Sequence, residues 1–386
     1  MSQRISRACT VFGAVVFALI SALPAQAPSR SKPTFVLAAG EHRIDAFCDL
    51  TGQIRKAAVD IDRSLLADVL DERLDIQRDL MLPVEAWEDV ATSILMTRGL
   101  LLVPSDRAGR LRLLSFRKSL DLDDGCVLRT ARQLLARPRR IELVSVEVAT
   151  GDADHRPFIH ALRPFFMFEH TTLEIDSVEQ AVRLTGTTST VVPALRLLHV
   201  LLDRPVPDDP PVRFQGQAEL TWPGGEMSAP AFVSLAARTL DANVVGKVSD
   251  VELKLGEAAE LTATDWYARA SHALRLAGQI LVPIVPEQRV FLLAPVKSVE
   301  RQWMALSRYE SPDTVALSKD VTPVMTVMTV APEDMRRAQG LLRPQFARRS
   351  PGLTVGSVGR DKLILLGLRS DVAEAVAMIR AQAGGR

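Results

Sequence analysis

The stretch "WEDVATSILMTRGLLLVPSDRAGRLRLLSFRKS", residues 87–119, returns as "WYARASHALRLAGQILVPIVPEQRVFLLAPVKS", residues 266–298. Laid together without a gap, the two are offset by 266 − 87 = 179 throughout. Twelve positions are identical: Trp87/Trp266, Ala91/Ala270, Leu95/Leu274, Gly99/Gly278, Leu102/Leu281, Val103/Val282, Pro104/Pro283, Arg110/Arg289, Leu113/Leu292, Leu114/Leu293, Lys118/Lys297 and Ser119/Ser298. Chance in a Leu-rich chain gives roughly two or three, so the pattern reads as a duplication.

Each copy has a shape that the residues predict. Trp87, Val90, Ala91, Ile94 and Leu95 recur at helical spacing, as do Trp266, Ala270, Ala273 and Leu274. Pro83 fits a first-turn position in one copy, and Thr262 with Asp265 a capping box in the other. Gly99 and Gly278 stop the helices. "LLLVP" and "QILVP" then read as strands, with "RLRLLSF" and "RVFLLAP" returning. Upstream, the same offset sets Ala57-Ala58 against Ala236-Ala237, Asp62 against Asp241, and "RLDIQ" against "ELKLG". Each copy is therefore expected to be a small α+β domain.

A second duplicated unit follows each. "RPRRIELVSVEVATGDADHRPFIHALRPFF" (137–166) parallels "KDVTPVMTVMTVAPEDMRRAQGLLRPQF" (319–346). Leu162-Arg163-Pro164 and Leu342-Arg343-Pro344 stand at offset 180, and Gly186 and Gly367 at 181. Each unit ends in an amphipathic helix, in the first with Val191, Leu195, Leu198 and Leu202 on one face. The chain reads as a two-domain module used twice, joined by the Pro- and Asp-rich "DRPVPDDPPVR" (203–213).

Length and composition fit this. The chain has 386 residues, enough for several domains. Its 47% apolar and 24% charged residues are globular in balance. With 47 basic against 46 acidic residues, binding driven by phosphate neutralisation is excluded. The opening "MSQRISRACTVFGAVVFALISALPAQA" carries Arg4 and Arg7, an uncharged run from Ala8 to Leu23, and a small-x-small site at Ala25-Gln26-Ala27. It reads as a signal peptide cleaved near Ala27. Cleavage leaves 45 − 46 = −1, and no later stretch is long and apolar enough to span a bilayer. Cys48 and Cys126 remain; their pairing is open, since spacing alone does not bring two sulfurs together.

This arrangement resembles the periplasmic N-terminal domains of secretins, the outer-membrane channels of type II secretion and type IV pilus systems. The residues that carry the resemblance are the apolar strands "ELVSVEV" and "VMTVMTV", the helices ending "ALRPFF" and "LLRPQF", and the strands reaching Gly186 and Gly367. It implies an α+β chain of tandem small domains, two copies of an N0-like domain followed by a KH-like ring domain. The expected boundaries are signal peptide 1–27, N0-like 45–120, KH-like 137–204, linker 205–213, N0-like 214–300 and KH-like 317–386. No barrel-like strand pattern follows, so pore formation is not expected. The implied function is a non-enzymatic periplasmic interaction or scaffold protein of a secretion or pilus apparatus. Its implied partners are periplasmic or membrane proteins of that apparatus and further copies of itself, with no nucleic acid. The implied place is the periplasm, in association with the outer membrane. A small-molecule or envelope-polymer binding protein on the same fold is the alternative.

The chemistry available points the same way. Asp152, Asp154, His155 and His160 lie close in sequence but match no ligand spacing, and the second copy has "APEDMRRAQG" there. "TGTTST" lacks the ending of a phosphate loop and reads as a turn with a helix cap. No KH-type Gly-x-x-Gly loop lies between helices, so RNA is not an expected ligand. Trp87 and Trp266 are expected in the core. No catalytic, cofactor-binding or metal residues are assigned. The residues placed to contact a partner are Arg163 and Arg343.

Overall fold

The computed structural model describes residues 34–61, 69–105, 107–115, 126–136, 141–151, 154–166, 173–209, 211–212, 214, 219–300, 306–317, 320–346, 349 and 352–384. The expected signal peptide lies outside them. It is a mixed α+β architecture of small sheets and helices.

The first unit runs β1 (Thr34–Leu37), β2 (Gly40–Arg43), α1 (Ile44–Arg55), β3 (Ala58–Ile61), β4 (Arg73–Ile76), β5 (Leu80–Pro83), α2 (Val84–Thr97), β6 (Leu100–Pro104) and β7 (Arg110–Ser115). The second runs β8 (Val127–Leu128), α3 (Ala131–Ala136), β9 (Leu143–Ala149), α4 (Arg156–Phe166), β10 (Leu173–Val178), β11 (Ala181–Thr187) and α5 (Thr188–Leu201). The third runs β12 (Leu220–Trp222), β13 (Gly225–Ser228), α6 (Ala229–Thr239), β14 (Asn243–Gly246), β15 (Glu252–Gly256), β16 (Ala259–Leu261), α7 (Ala263–Leu276), β17 (Gln279–Val285), β18 (Val290–Pro295) and α8 (Val296–Glu300). The fourth runs β19 (Arg308–Tyr309), α9 (Pro312–Val315), β20 (Pro323–Thr329), α10 (Met335–Phe346), β21 (Thr354–Val358), β22 (Lys362–Leu368) and α11 (Arg369–Gly384).

The local signals act as the residues dictate, with one exception. Thr262 caps α7, its Oγ1 accepting from Asp265 N at 3.1 Å. Gly99 and Gly278 follow α2 and α7 with φ of 70° and 76°, the left-handed bend that a helix end needs. Pro83 is the N-cap of α2, one position before the first turn, because its ψ of 159° keeps it in the strand β5.

Two corrections concern the offset. Ala57-Ala58 enters β3, whereas Ala236-Ala237 lies within α6, so those pairs do not correspond. In the backbone, Ala57 N→Gly52 O is matched by Ala242 N→Ala237 O, and 242 − 57 = 185. The difference of six residues falls between β3 and β4. The return strand is also displaced, by one: β3 pairs Ala58 with Arg110, while β14 pairs Asn243 with Val290. A bulge between Pro283 and Val285 accommodates the extra residue. Leu113 therefore corresponds to Leu293, not Leu292, and Leu292 faces the opposite way, since one step along a strand changes its face.

The sheets connect the halves. The order β17-β18-β14-β4-β2 forms one five-stranded sheet, in which β4 of the first unit pairs antiparallel with β14 of the third, Ile76 opposite Val245. The other large sheets are β3-β7-β6, β10-β11-β9-β8 and β19-β20-β22-β21. Helix α2 packs on its own β6 and also on β17 and β18; α5 packs on β9 and β11 and also on β19 and β20. On the far side of the later sheets lie α7 and α11. The layers alternate sheet, helix, sheet, helix.

The later sheets are thus buried on both faces. Ile280, Val282 and Leu292 join the core shared with the first half, while Leu281, Phe291 and Leu293 join the core under α6 and α7. In the same way Ile364 and Leu366 face the shared core, and Leu363 and Leu365 the core under α10 and α11. In the first half the far face is open along β7 and β9, while at β6 Leu101 and Val103 pack with Met96 and Leu143 in a small core of their own. Arg110 and Arg112 alternate with buried Leu111 and Leu113 on β7, and Glu147 with Val146 and Val148 on β9. Arg183 Nη2 donates to Glu147 across that open face at 2.6 Å.

Candidate interaction surfaces

The four-residue patch of carboxylates and imidazoles does not assemble. Asp152 lies outside the described residues. Asp154 Oδ1 accepts from Arg156 N at 3.1 Å, His155 Nε2 is hydrogen-bonded to Ser177 Oγ, and His160 is exposed on α4. Among the described residues no group of three His, Cys, Asp or Glu side chains could hold a metal. Cys48 and Cys126 are not joined by a disulfide, and burial pushes Cys48 up to about 12, so it holds its proton.

Trp87 and Trp266 are core residues, 1% and 0% exposed. Phe47 stacks on Trp87 and Phe232 on Trp266, each with planes 6° apart. The residue after each Trp turns outward to the following unit. Glu88 accepts from Arg55 at 2.7 Å and from Ile141 N at 3.4 Å, and Tyr267 shares a hydrogen bond of 3.1 Å with Thr322 Oγ1.

Two polar clasps, one inside the fourth unit and one joining it to the third, have no local signal in the sequence. In one, the Arg369 guanidinium bonds Glu310 at 3.0 Å and also Asp320, and all three are nearly buried. Burial opposes Arg369's charge, but the Asp320 and Glu310 carboxylates outweigh it and raise its pKa. Burial raises Glu310 despite that guanidinium. In the other, Asp371 accepts from Arg275 at 3.0 Å and from Arg349 at 2.7 Å. The first ties the end of β19 to the start of α11 within the fourth unit, and the second joins α7 of the third unit to the fourth.

Arg343 is exposed near the end of α10, with no ion pair among the described residues. The helix explains why: Leu342 and Phe346 point into the core, which turns Arg343 out. Arg163 lies in α4. Its side chain is outside what the structure describes.

The clearest open surface is the edge strand β8. Leu128 is 75% exposed and Val127 43%. Its counterpart β19 is buried: α5 packs on it, and Asp208 and Asp209 of the chain's own linker lie against its end. Asp209 N donates to Tyr309 O at 2.9 Å, Asp209 holds Arg196 at 2.7 Å, and Asp208 accepts at 2.8 Å from the N–H of Ser311, the N-cap of α9. The expected linker is in this part an ordered strap. A second exposed apolar pair, Val36 and Met81, sits cross-strand on β1 and β5. A cleft of about 260 Å³ opens beside Met328, Val330, Ile379 and Arg380, without an aromatic wall.

No family model matches the sequence, and no curated protein matches it. Solved structures that align include the type II secretion outer-membrane complex of Klebsiella pneumoniae with PulD, PulS and the PulC HR domain. That alignment has 15% identity and covers 90% of this chain and 50% of that chain, TM-score 0.33. The N-terminal domain of the secretin XcpQ from Pseudomonas aeruginosa aligns at 10% identity over 54% of this chain and 77% of that one, TM-score 0.15. The GspC–GspD complex of enterotoxigenic Escherichia coli aligns at 10% identity over 44% and 97%, TM-score 0.17. Scores this low describe similar pieces of chain, not a shared whole. No described helix is long and apolar enough to cross a membrane.

Proposed function

We propose that the chain is a non-enzymatic interaction protein of the cell envelope that docks extended segments of partner proteins in a secretion or pilus apparatus. The observation that carries this is the contrast between β8 and β19. One edge is taken at Tyr309 by Asp209 of the chain's own acidic linker; among the described residues the equivalent edge carries no such cover, and Val127 and Leu128 are exposed on it. Strand addition at such an edge takes affinity from backbone hydrogen bonds and specificity from alternate side chains. The sequence pattern shared with secretin N-domains supports the envelope setting, as does the signal-like start. Arg343, exposed on α10, is a second contact point on this reading. Among the described residues, the cleft beside Arg380 is smaller than the roughly 300–1,000 Å³ of ordinary ligand sites and lends the binding of a small molecule no support of its own.

The test is affinity capture from envelope extract with the chain as bait, alongside Leu128→Asp. Secretion or pilus components retained by the parent chain and lost with Leu128→Asp are expected. Capture of no such component, or equal capture by both, contradicts the proposal.

A further inference from the structure

The joint between the halves is a strand pairing that the chain makes once and is equipped to make again. Within the chain, β4 pairs antiparallel with β14, Ile76 opposite Val245 and Asp75 opposite Gly246, and Gln77 N donates to Val244 O at 3.3 Å. Just beyond the strand, Arg78 reaches Asp241 at 2.7 Å. Asp241 is the left-handed residue that follows α6.

Every participant has a counterpart in the other half. β15 corresponds to β4, 179 residues on, since each pairs with the strand leading into its unit's first helix, β13 or β2. β3 corresponds to β14, 185 residues back, since each runs parallel to a hairpin's return strand, β7 or β18. Among the described residues, β15 pairs only with β13 and β3 only with β7, so each keeps one open edge. The positions of Arg78 and Asp241 become 78 + 179 = 257 and 241 − 185 = 56, which are Glu257 and Lys56. The signs are exchanged and the pair stays complementary. Both residues are exposed, and neither makes an ion pair among the described residues. Lys56 even keeps the left-handed backbone, φ 53° against 45° at Asp241.

We infer that the chain associates with further copies of itself head to tail, β15 of one copy pairing antiparallel with β3 of the next. The internal joint fixes the register: Ile61 opposite Lys254, Asp60 opposite Leu255, and Gly256 N donating to Val59 O, with Glu257 reaching Lys56. Asp60 is no obstacle, because its side chain is held by Arg110 at 2.7 Å on the strand next to it. The two surfaces differ, so the contact is heterologous and builds a ring or a filament instead of closing a twofold dimer. A second copy is the fitting occupant because hand, register and charge pair are all supplied by the joint already present. This self-pairing does not rest on the proposed partner: failure to capture a secretion component leaves it standing.

Two experiments on the purified full chain test it. Ile61→Cys and Lys254→Cys variants, mixed under mild oxidation, are expected to give a reducible dimer that neither variant alone, nor the parent chain with Cys48 and Cys126, produces. In sedimentation, Lys56→Glu and Glu257→Lys are each expected to weaken association about tenfold, and the double variant to restore it. No adduct in the mixture, a monomer at every concentration, or a double variant as weak as the singles overturns the inference.

Discussion

Phe47 on Trp87 and Phe232 on Trp266 form the same stacked pair in the two N-proximal cores. Burying such a ring and then emptying its site is costly, so Trp266→Ala is expected to lose about 3–5 kcal/mol in urea unfolding. The tryptophans were legible in the sequence because they share the offset of 179. The phenylalanines were not, because the six residues between β3 and β4 shift them to 185. The Arg369–Glu310–Asp320 clasp was illegible for another reason: its partners are 59 and 49 residues from Arg369, and no local pattern announces them. His199 offers a pH test. Burial, with the Arg204 guanidinium nearby, holds its imidazole below the usual value. The folded state therefore binds its proton less readily than the unfolded chain does. Stability is full above the ordinary pKa of about 6.5 and falls as pH drops below it. Melting temperatures measured from about pH 7.5 to 5.5 are expected to decline, and to decline less in His199→Gln.

At the scale of the element, strand composition decides which faces are covered. "VFLLAP" and "KLILLGL" are continuous apolar runs because β18 and β22 lie between two helix layers; "RLRLLS" alternates because β7 has helices on one side only. Leu292→Arg puts a charge into the shared core and is expected to cost more than about 4 kcal/mol, whereas Arg112→Leu at the open counterpart stays within about 0.5 kcal/mol. Circular dichroism through a denaturant series distinguishes them. The helices, hairpins and caps were readable from period and punctuation. The one-residue bulge at Pro283 was not, since the gapless match hides it and carries Leu292 to the wrong face. The strap is a second test: Asp209→Ala leaves Arg196 nearly buried without its carboxylate, and a loss of about 3–5 kcal/mol is expected.

Across the whole molecule, the two halves interlock. One sheet crosses between them, and the first half's helices serve as the roof of the second half's sheets. Unfolding by heat is therefore expected as one cooperative transition, with calorimetric and van't Hoff enthalpies in agreement; two separated transitions would mean that the halves fold independently. Arg110, Arg112, Glu147 and Arg183 make the outer face of β7, β9 and β11 polar, as terminal repeats do elsewhere. What stays open is at the edges, and there the proposed function lies. The most direct measurement places a photo-crosslinking side chain at Leu128, and separately at Arg343, in cells that make the secretion or pilus apparatus. Adducts joining position 128 to a component of that apparatus are the expected result. Cells that hold the apparatus and give no adduct from either position would contradict the account.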